Sequence, residues 1–347
     1  MPVFTATIFL SAFLLFLVQP LIAKQILPWF GGSAAVWNTC LVFFQAMLLA
    51  GYAYADWLAR AFRARQQALL HAALLAASLL ALPLAPDAAW KPAGDEDPAW
   101  RILGLLFATV GLPYFLLAST SPLLQAWAAR GKLGERVYRL FALSNFGSLL
   151  ALLAYPFLIE PATSARAQAL AWSAGYTVYA ALALCAAWIG LRSDGPASAQ
   201  SRAETDSPGP PSVEAHALWL ALPALASLLL LAVTNHITQN IASIPLLWIV
   251  PLALYLLSFI LCFEGRLWYR RGLFLGFFAV ALVAMAWGLQ VDDAVLHVKW
   301  SIPIYCAGLF VACMVLHGEL ARAKPAPRYL TRFYLMLSLG GALGGFL

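Results

Sequence analysis

The sequence predicts an all-α, polytopic transmembrane helical bundle, and three observations predict it. Of 347 residues, 63% are apolar and only 10% are charged, against roughly a quarter charged in an average soluble domain. The apolar residues gather in runs long enough to cross a bilayer, which takes about 20 residues each. The basic residues collect in alternate loops, the pattern that positive-inside insertion leaves behind. A water-soluble fold is excluded, because so apolar a globule could not clothe itself in polar side chains.

Ten complete apolar segments cover approximately 3–24, 35–59, 66–86, 101–128, 137–158, 166–191, 216–240, 244–263, 271–290 and 301–320, and an eleventh runs from 330 onward. The first sits where a signal peptide would, but it lacks a basic start and is followed by Lys24-Gln25 rather than a small-residue cleavage site, so it reads as a retained helix. The turns at 56–65, 130–139, 264–271 and 319–332, with the stretch 192–214, hold 16 of the 21 basic residues. Opposite loops carry Asp87, Asp95, Glu96, Asp97, Glu160, Asp292 and Asp293. The basic loops and the N-terminus are therefore assigned to the cytoplasm. The net charge of +6 reports this orientation, and no nucleic-acid partner is expected. Cys40, Cys185, Cys262, Cys306 and Cys313 stand singly in or beside apolar runs, which supports neither disulfides nor a zinc site.

Residues 193–215 are rich in Ser, Pro, Gly and Ala and cannot repay the entropy of folding. They read as a flexible cytoplasmic linker between a six-helix half, 1–192, and a second half, 216–347. The halves repeat: Phe16–Lys24 can be laid on Leu231–Gln239, Asp56 with Arg63 on Glu264 with Arg271, and Tyr138–Ser148 on Arg332–Ala342. Three matches in one order favour a six-plus-six pseudo-repeat. It predicts twelve helices, of which eleven are present; the residues stop at Leu347 inside an apolar run, as the front part of something longer would.

Cytoplasmic ends, a central linker and acidic-then-basic turns after helices two and eight resemble the major facilitator architecture. Gly51-Tyr-Ala-Tyr-Ala-Asp56 with Arg60 and Arg63 is similar to that superfamily's turn motif, with a Gly-to-Asp spacing one residue longer and no glycine between Asp56 and the basic cluster. A closer resemblance spans nearly the whole chain. Leu15–Lys24, Leu112–Gln125, Ser144–Ser148, Tyr155–Pro161 and Asn235-His236 leading into Leu247–Pro251 resemble the membrane region of bacterial fused major-facilitator/spermidine synthase-like proteins. The resemblance implies a multi-pass bacterial inner-membrane protein, a cytosolic aminopropyltransferase-like domain as possible partner, and polyamine-related solutes. These residues hold no Gly-rich loop after a strand and no cytosolic acidic pair, so the synthase activity is not expected to reside in them.

The densest polar stretch within an apolar segment is Thr234–Asn240 on helix seven. From residue 216, at about 1.5 Å per residue, it falls in the outer part of the membrane. His236, Gln239 and Asn240, spaced i, i+3, i+4, share a helical face. With Asn235 they form a candidate solute-binding or gating surface on which His236 can take up a proton; the plainer alternative is that they cap and solvate the helix end. Gln19 and Lys24 are their pseudo-equivalents on helix one, where Pro20 removes a hydrogen bond and predicts a kink; Lys24 there either faces a cavity or snorkels to the headgroups. Asn145 is the strongest candidate on helices four and five, because an amide in lipid needs partners. Ser144/Ser148, Gly147/Ala151, Gly340/Gly344 and Gly341/Gly345 are small-residue stripes that read as helix packing. Asp56 with Arg60 and Arg63, and Glu264 with Arg270 and Arg271, form charge clusters at the cytoplasmic face that could gate it or anchor it. His317 and Glu319 read as interfacial, and Trp29, Trp37, Trp248, Trp268 and Trp300 as an aromatic belt.

No nucleophile–base set, phosphate loop or metal-ligand spacing emerges, so no enzymatic activity and no cofactor is expected of these residues. The expected partners are the lipid bilayer and a small polar or cationic solute, carried in a cavity lined by helices one, four, five and seven. The competing reading is a non-transporting membrane anchor for a cytosolic synthase-like domain.

Overall fold

A computed structural model describes residues 1–31, 34–92, 98–130, 137–192, 209–241, 247–265, 267–290 and 298–346, without the side chains of 34–35, 191–192, 240–241 and 298. Most of the expected linker and the acidic tips at 95–97 and 292–293 lie outside the described residues. Every described regular element is helical. The helices are α1 (Pro2–Phe30), α2 (Ala34–Ala61), α3 (Ala64–Ser78), α4 (Pro98–Ala129), α5 (Arg139–Ala162), α6 (Ala165–Arg192), α7 (Val213–Gln239), α8 (Ile249–Glu264), α9 (Arg271–Gly288), α10 (Val298–Arg322) and α11 (Leu330–Phe346). Each predicted apolar segment has become one of them.

Eight are long and apolar enough to cross a bilayer. The third segment departs most from expectation: α3 has 15 residues and gives way to a 3₁₀ turn at Leu79–Ala81 ahead of Pro83. Proline shapes the longer helices as well. Pro113 and Pro156 cannot donate to the carbonyls of Thr109 and Leu152, and α4 and α5 widen there into π turns at Phe107–Gly111 and Tyr155–Ile159. At Pro20, where a kink is expected, α1 stays helical from Pro2 to Phe30, and the Pro20 carbonyl accepts from the Tyr155 hydroxyl at 3.4 Å.

The packing repeats between halves. α1 packs on α4 and α5 as α7 packs on α10 and α11, and α2 on α4 as α8 on α10. Small residues make the closest crossings, as the stripes predict. A Cβ on Gly147 would stand 2.8 Å from the Phe9 carbonyl of α1, and one on Gly344 would collide with the Ala224 carbonyl of α7. Phe9 and Ala224 occupy equivalent places when Phe16 is laid on Leu231.

The two halves meet along two seams, α5 on α8 and α2 on α11. Exchange of the halves carries one seam into the other, as a pseudo-two-fold requires. The buried apolar residues show where these seams close. Around the basic loops one continuous core takes residues from both halves, including Phe141, Phe259, Phe263, Phe333 and Tyr334. Toward the other end the core divides. Leu14–Ile26, Ile102–Leu117 and Trp172–Ala183 pack within the first half, while Val233, Ile237, Met285 and Tyr305–Cys313 pack within the second. Between them, among the described residues, a small cluster of Leu152, Ile249 and Leu256 follows the α5–α8 seam. The bundle is a wedge, fused at its basic end.

Candidate functional site

The fused end is built from an aromatic plug and two polar latches. Phe141 of α5 stacks on Tyr334 of α11 at 4.8 Å and packs against Phe263 of α8 at 4.8 Å, and Tyr138 meets Phe333 edge-on at 6.1 Å. The Tyr138 hydroxyl donates to the Pro325 carbonyl at 2.7 Å. One turn deeper, Gln125 on α4 donates to the Ser121 hydroxyl and accepts from the Tyr334 hydroxyl, both at 2.8 Å. All three residues are buried.

The first latch joins α2 to α11. Asp56, fully buried, lies near the end of α2; one carboxylate oxygen accepts from the Thr331 hydroxyl at 3.0 Å, and the other lies 2.7 Å from Arg60 Nη2 and 3.6 Å from Arg332 Nη1. Thr331 and Arg332 open α11, so the carboxylate also sits at a helix N-terminus, where the dipole favours negative charge. The second latch joins α8 to α5: Arg139 Nε is 3.8 Å from the Glu264 carboxylate and donates to the Glu264 carbonyl at 3.2 Å. Asp56 near the end of α2 and Glu264 at the end of α8 are each paired with a base at the start of a helix of the other half. The latches are unequal, because Asp56 is buried while Arg139 and Glu264 are 62% and 50% exposed. An exposed pair contributes about 0–1 kcal/mol, whereas a hydrogen bond to a charged group contributes about 1.5–3 kcal/mol.

Three expected partnerships therefore change. Arg60 does hold Asp56, one helical turn away, but Arg63 opens α3 with its backbone N–H on Gln66. Glu264 reaches Arg139 rather than Arg270 or Arg271, and Arg271 pairs with Glu319 at 3.2 Å. Arg270 precedes the first residue of α9 and makes no side-chain cap hydrogen bond there. The sequence repeat carried a signal for the latches: the two aligned blocks that open helices five and eleven bring Arg139 and Arg332 with them.

The outer candidates are placed separately. Asn235 and Gln239 are exposed one turn apart, whereas half-buried His236 lies 4.4 Å, ring to ring, from Tyr305 of α10. The helix widens into a π turn over His236–Ile241, where the i→i+5 pitch replaces the α-helical spacing. The Asn240 side chain lies outside the described residues. Gln19 donates to the Tyr114 hydroxyl at 3.3 Å and Asn145 to the Phe141 carbonyl at 2.9 Å. Lys24 pairs with Glu160 of α5 at 2.8 Å, both about two-fifths exposed. His317, expected at the interface, is fully buried against Phe259 at 3.6 Å with Nδ1 on the Ser258 hydroxyl at 2.8 Å. Of the expected belt, Trp37, Trp248, Trp268 and Trp300 are exposed, and Lys91 lies 5.2 Å over the ring of Trp29.

Neither a protein family nor a curated protein matches the chain. Solved structures do. Over 99% of its length it aligns with the MFS (major facilitator superfamily) proton:xylose symporter XylE bound to 6-bromo-6-deoxy-D-glucose, at 12% identity, a TM-score of 0.57 and 86% of that chain. The chain has the major facilitator fold. The human organic anion transporter MFSD10 (TETRAN) aligns over 99% of this chain and 91% of its own, at 16% identity and a TM-score of 0.55. At these identities the likeness is one of fold.

Proposed function

We propose that this major facilitator bundle is a membrane carrier module that moves a small polar or cationic solute, with polyamines the class implied by the sequence resemblance to fused spermidine synthase-like proteins. The observation that carries this reading is the divided core: one body at the basic end, two separate bodies at the other. Two rigid halves hinged at one end are what rocking, alternating access needs. With the basic loops in the cytoplasm of a bacterial inner membrane, the wedge opens outward, and Asn235, His236, Gln239, Gln19, Lys24 and Asn145 are candidates to meet solute on its way to the plug. Asp56 and Arg332, with Glu264 and Arg139, are the groups that must part when the inner end opens, while Arg60 stays with Asp56 on α2.

The test is uptake by the purified chain in sealed liposomes, across putrescine, spermidine and spermine. Saturable uptake that falls in the Gln239→Leu and Asn235→Leu variants supports the reading. Absence of flux for all three polyamines refutes that solute class.

One observation favours the second reading, a non-transporting anchor for a cytosolic aminopropyltransferase-like domain. Gln19, Asn145 and Gln125 already have partners within the bundle, as a static anchor would arrange them. In that case the two leucine variants leave cellular function unchanged.

A further inference from the structure

A cavity of about 830 Å³ opens at the basic end, across the seam between the halves. Tyr138 and Arg139 come from the first half; Cys262, Phe263 and Glu264 from the end of α8; and Gly318, Ala321, Arg322 and Lys324 from the end of α10. We propose that this cavity binds a phosphate-bearing anion, a phosphate ester with an organic body rather than a bare ion.

Charge decides the class of ligand. The walls bring three cations, Arg139, Arg322 and Lys324, and one carboxylate, Glu264. Among the described residues a further acid, Glu319, is already engaged: it accepts from the Tyr269 hydroxyl at 2.8 Å and pairs with Arg271 at 3.2 Å. The lining hydroxyls are engaged too, Tyr138 on the Pro325 carbonyl and Tyr269 on Glu319. Burial and the Glu319 carboxylate both push the Tyr269 phenol up, so it stays a neutral donor. Recognition therefore falls to the cations. Arg139 meets Glu264 through Nε alone, and among the described residues its Nη groups carry no hydrogen bond, leaving the edge that grips phosphate in bidentate fashion. Arg322 is exposed and makes no ion pair among the described residues. Lys324 stands 4.9 Å over the Tyr138 ring, held at the cavity as a point charge.

Size and walls argue for the organic body. The volume lies within the range of about 300–1,000 Å³ typical of small-molecule sites and exceeds what phosphate fills. Phe263, Cys262, Gly318 and Ala321 line it with apolar surface. A phosphate ester can come from two sources, a soluble metabolite or the headgroup of an anionic lipid, and the cavity's place among the basic loops suits both. The inference goes beyond the transport reading and does not depend on it, because binding is measured without flux.

The experiment titrates the purified full chain, in neutral detergent at constant ionic strength, with glycerol 3-phosphate, dioctanoyl phosphatidylglycerol and dioctanoyl phosphatidylcholine, following heat or tryptophan fluorescence. Saturable binding of either anion, with phosphatidylcholine weaker by tenfold or more, is expected, and the anion that binds names the source. The Arg322→Gln/Lys324→Gln variant is expected to lose at least tenfold in affinity, while Arg322→Lys/Lys324→Arg stays near wild type. Glu264→Gln removes the one opposing charge and is expected to tighten binding severalfold, a gain that misfolding cannot imitate. The proposal is overturned if neither anion outbinds phosphatidylcholine, if Arg322→Gln/Lys324→Gln binds unchanged, or if Glu264→Gln binds no more tightly.

Discussion

Asp56→Asn separates the two latches by magnitude. The substitution keeps the side chain's shape and removes its charge from a fully buried site, where it accepts from Thr331 at 3.0 Å and faces Arg332 at 3.6 Å. Arg60 lies on the same helix, so its contact survives opening and does not count toward the latch. What opening breaks is one hydrogen bond to a charged group, about 1.5–3 kcal/mol, and one loose pair with a base that is 39% exposed, well under 1 kcal/mol after solvent screening. Asn retains a weaker bond to Thr331, so the loss is about 2 kcal/mol, or roughly a 30-fold rise in the open-to-closed ratio. Glu264→Gln acts on an exposed pair and is expected to raise that ratio less than about fivefold. Pulsed electron-spin distances between labels at Phe62→Cys and Arg328→Cys, with exposed Cys185 replaced by Ser, report both states in lipid nanodiscs. A longer distance should grow in Asp56→Asn and barely appear in Glu264→Gln. Equal effects of the two variants, or an unchanged distribution in Asp56→Asn, would refute the reasoning.

The remaining predictions concern packing and pairing. Gly344→Ala drives a Cβ into the Ala224 carbonyl, while Gly272 has open space around it; Gly344→Ala should lose about 1–3 kcal/mol and Gly272→Ala under about 0.5 kcal/mol, read as thermal unfolding in detergent. Gln125→Leu strands the Tyr334 hydroxyl in the plug and should cost about 1–3 kcal/mol; adding Tyr334→Phe should recover part of it, and no recovery in the double variant would show that the hydrogen bond is not the cause. Lys24→Glu with Glu160→Lys re-forms the outer pair in reverse. If the lysine serves only that pair, stability and uptake return in the double swap; if it meets solute, stability returns and uptake does not.

Helix number and order among the described residues were legible because lipid leaves a chain little choice: backbone groups must be satisfied within each span, so every crossing advertises itself as an apolar run. Small-residue stripes were legible for a similar reason, since Gly147 and Gly344 are needed wherever backbones nearly touch. Charge partners were harder. Asp56 and Glu264 stand beside basic residues in sequence, and proximity along the chain favours Arg63 and Arg271. Folding instead brings the starts of α11 and α5 against them, across distances in sequence that no local pattern encodes. His236 and Gln239 lie in a segment that adopts a π turn, which the α-helical spacing used for them does not describe.

An apolar chain whose apolar residues gather in bilayer-length runs reads as a multi-span bundle, and that much needs no coordinates, because solvent and insertion act on each segment by itself. Which end of the wedge is shut is different in kind. It depends on Phe141, Tyr334, Asp56 and Arg332 meeting from opposite halves, and such meetings exist only once both halves have packed.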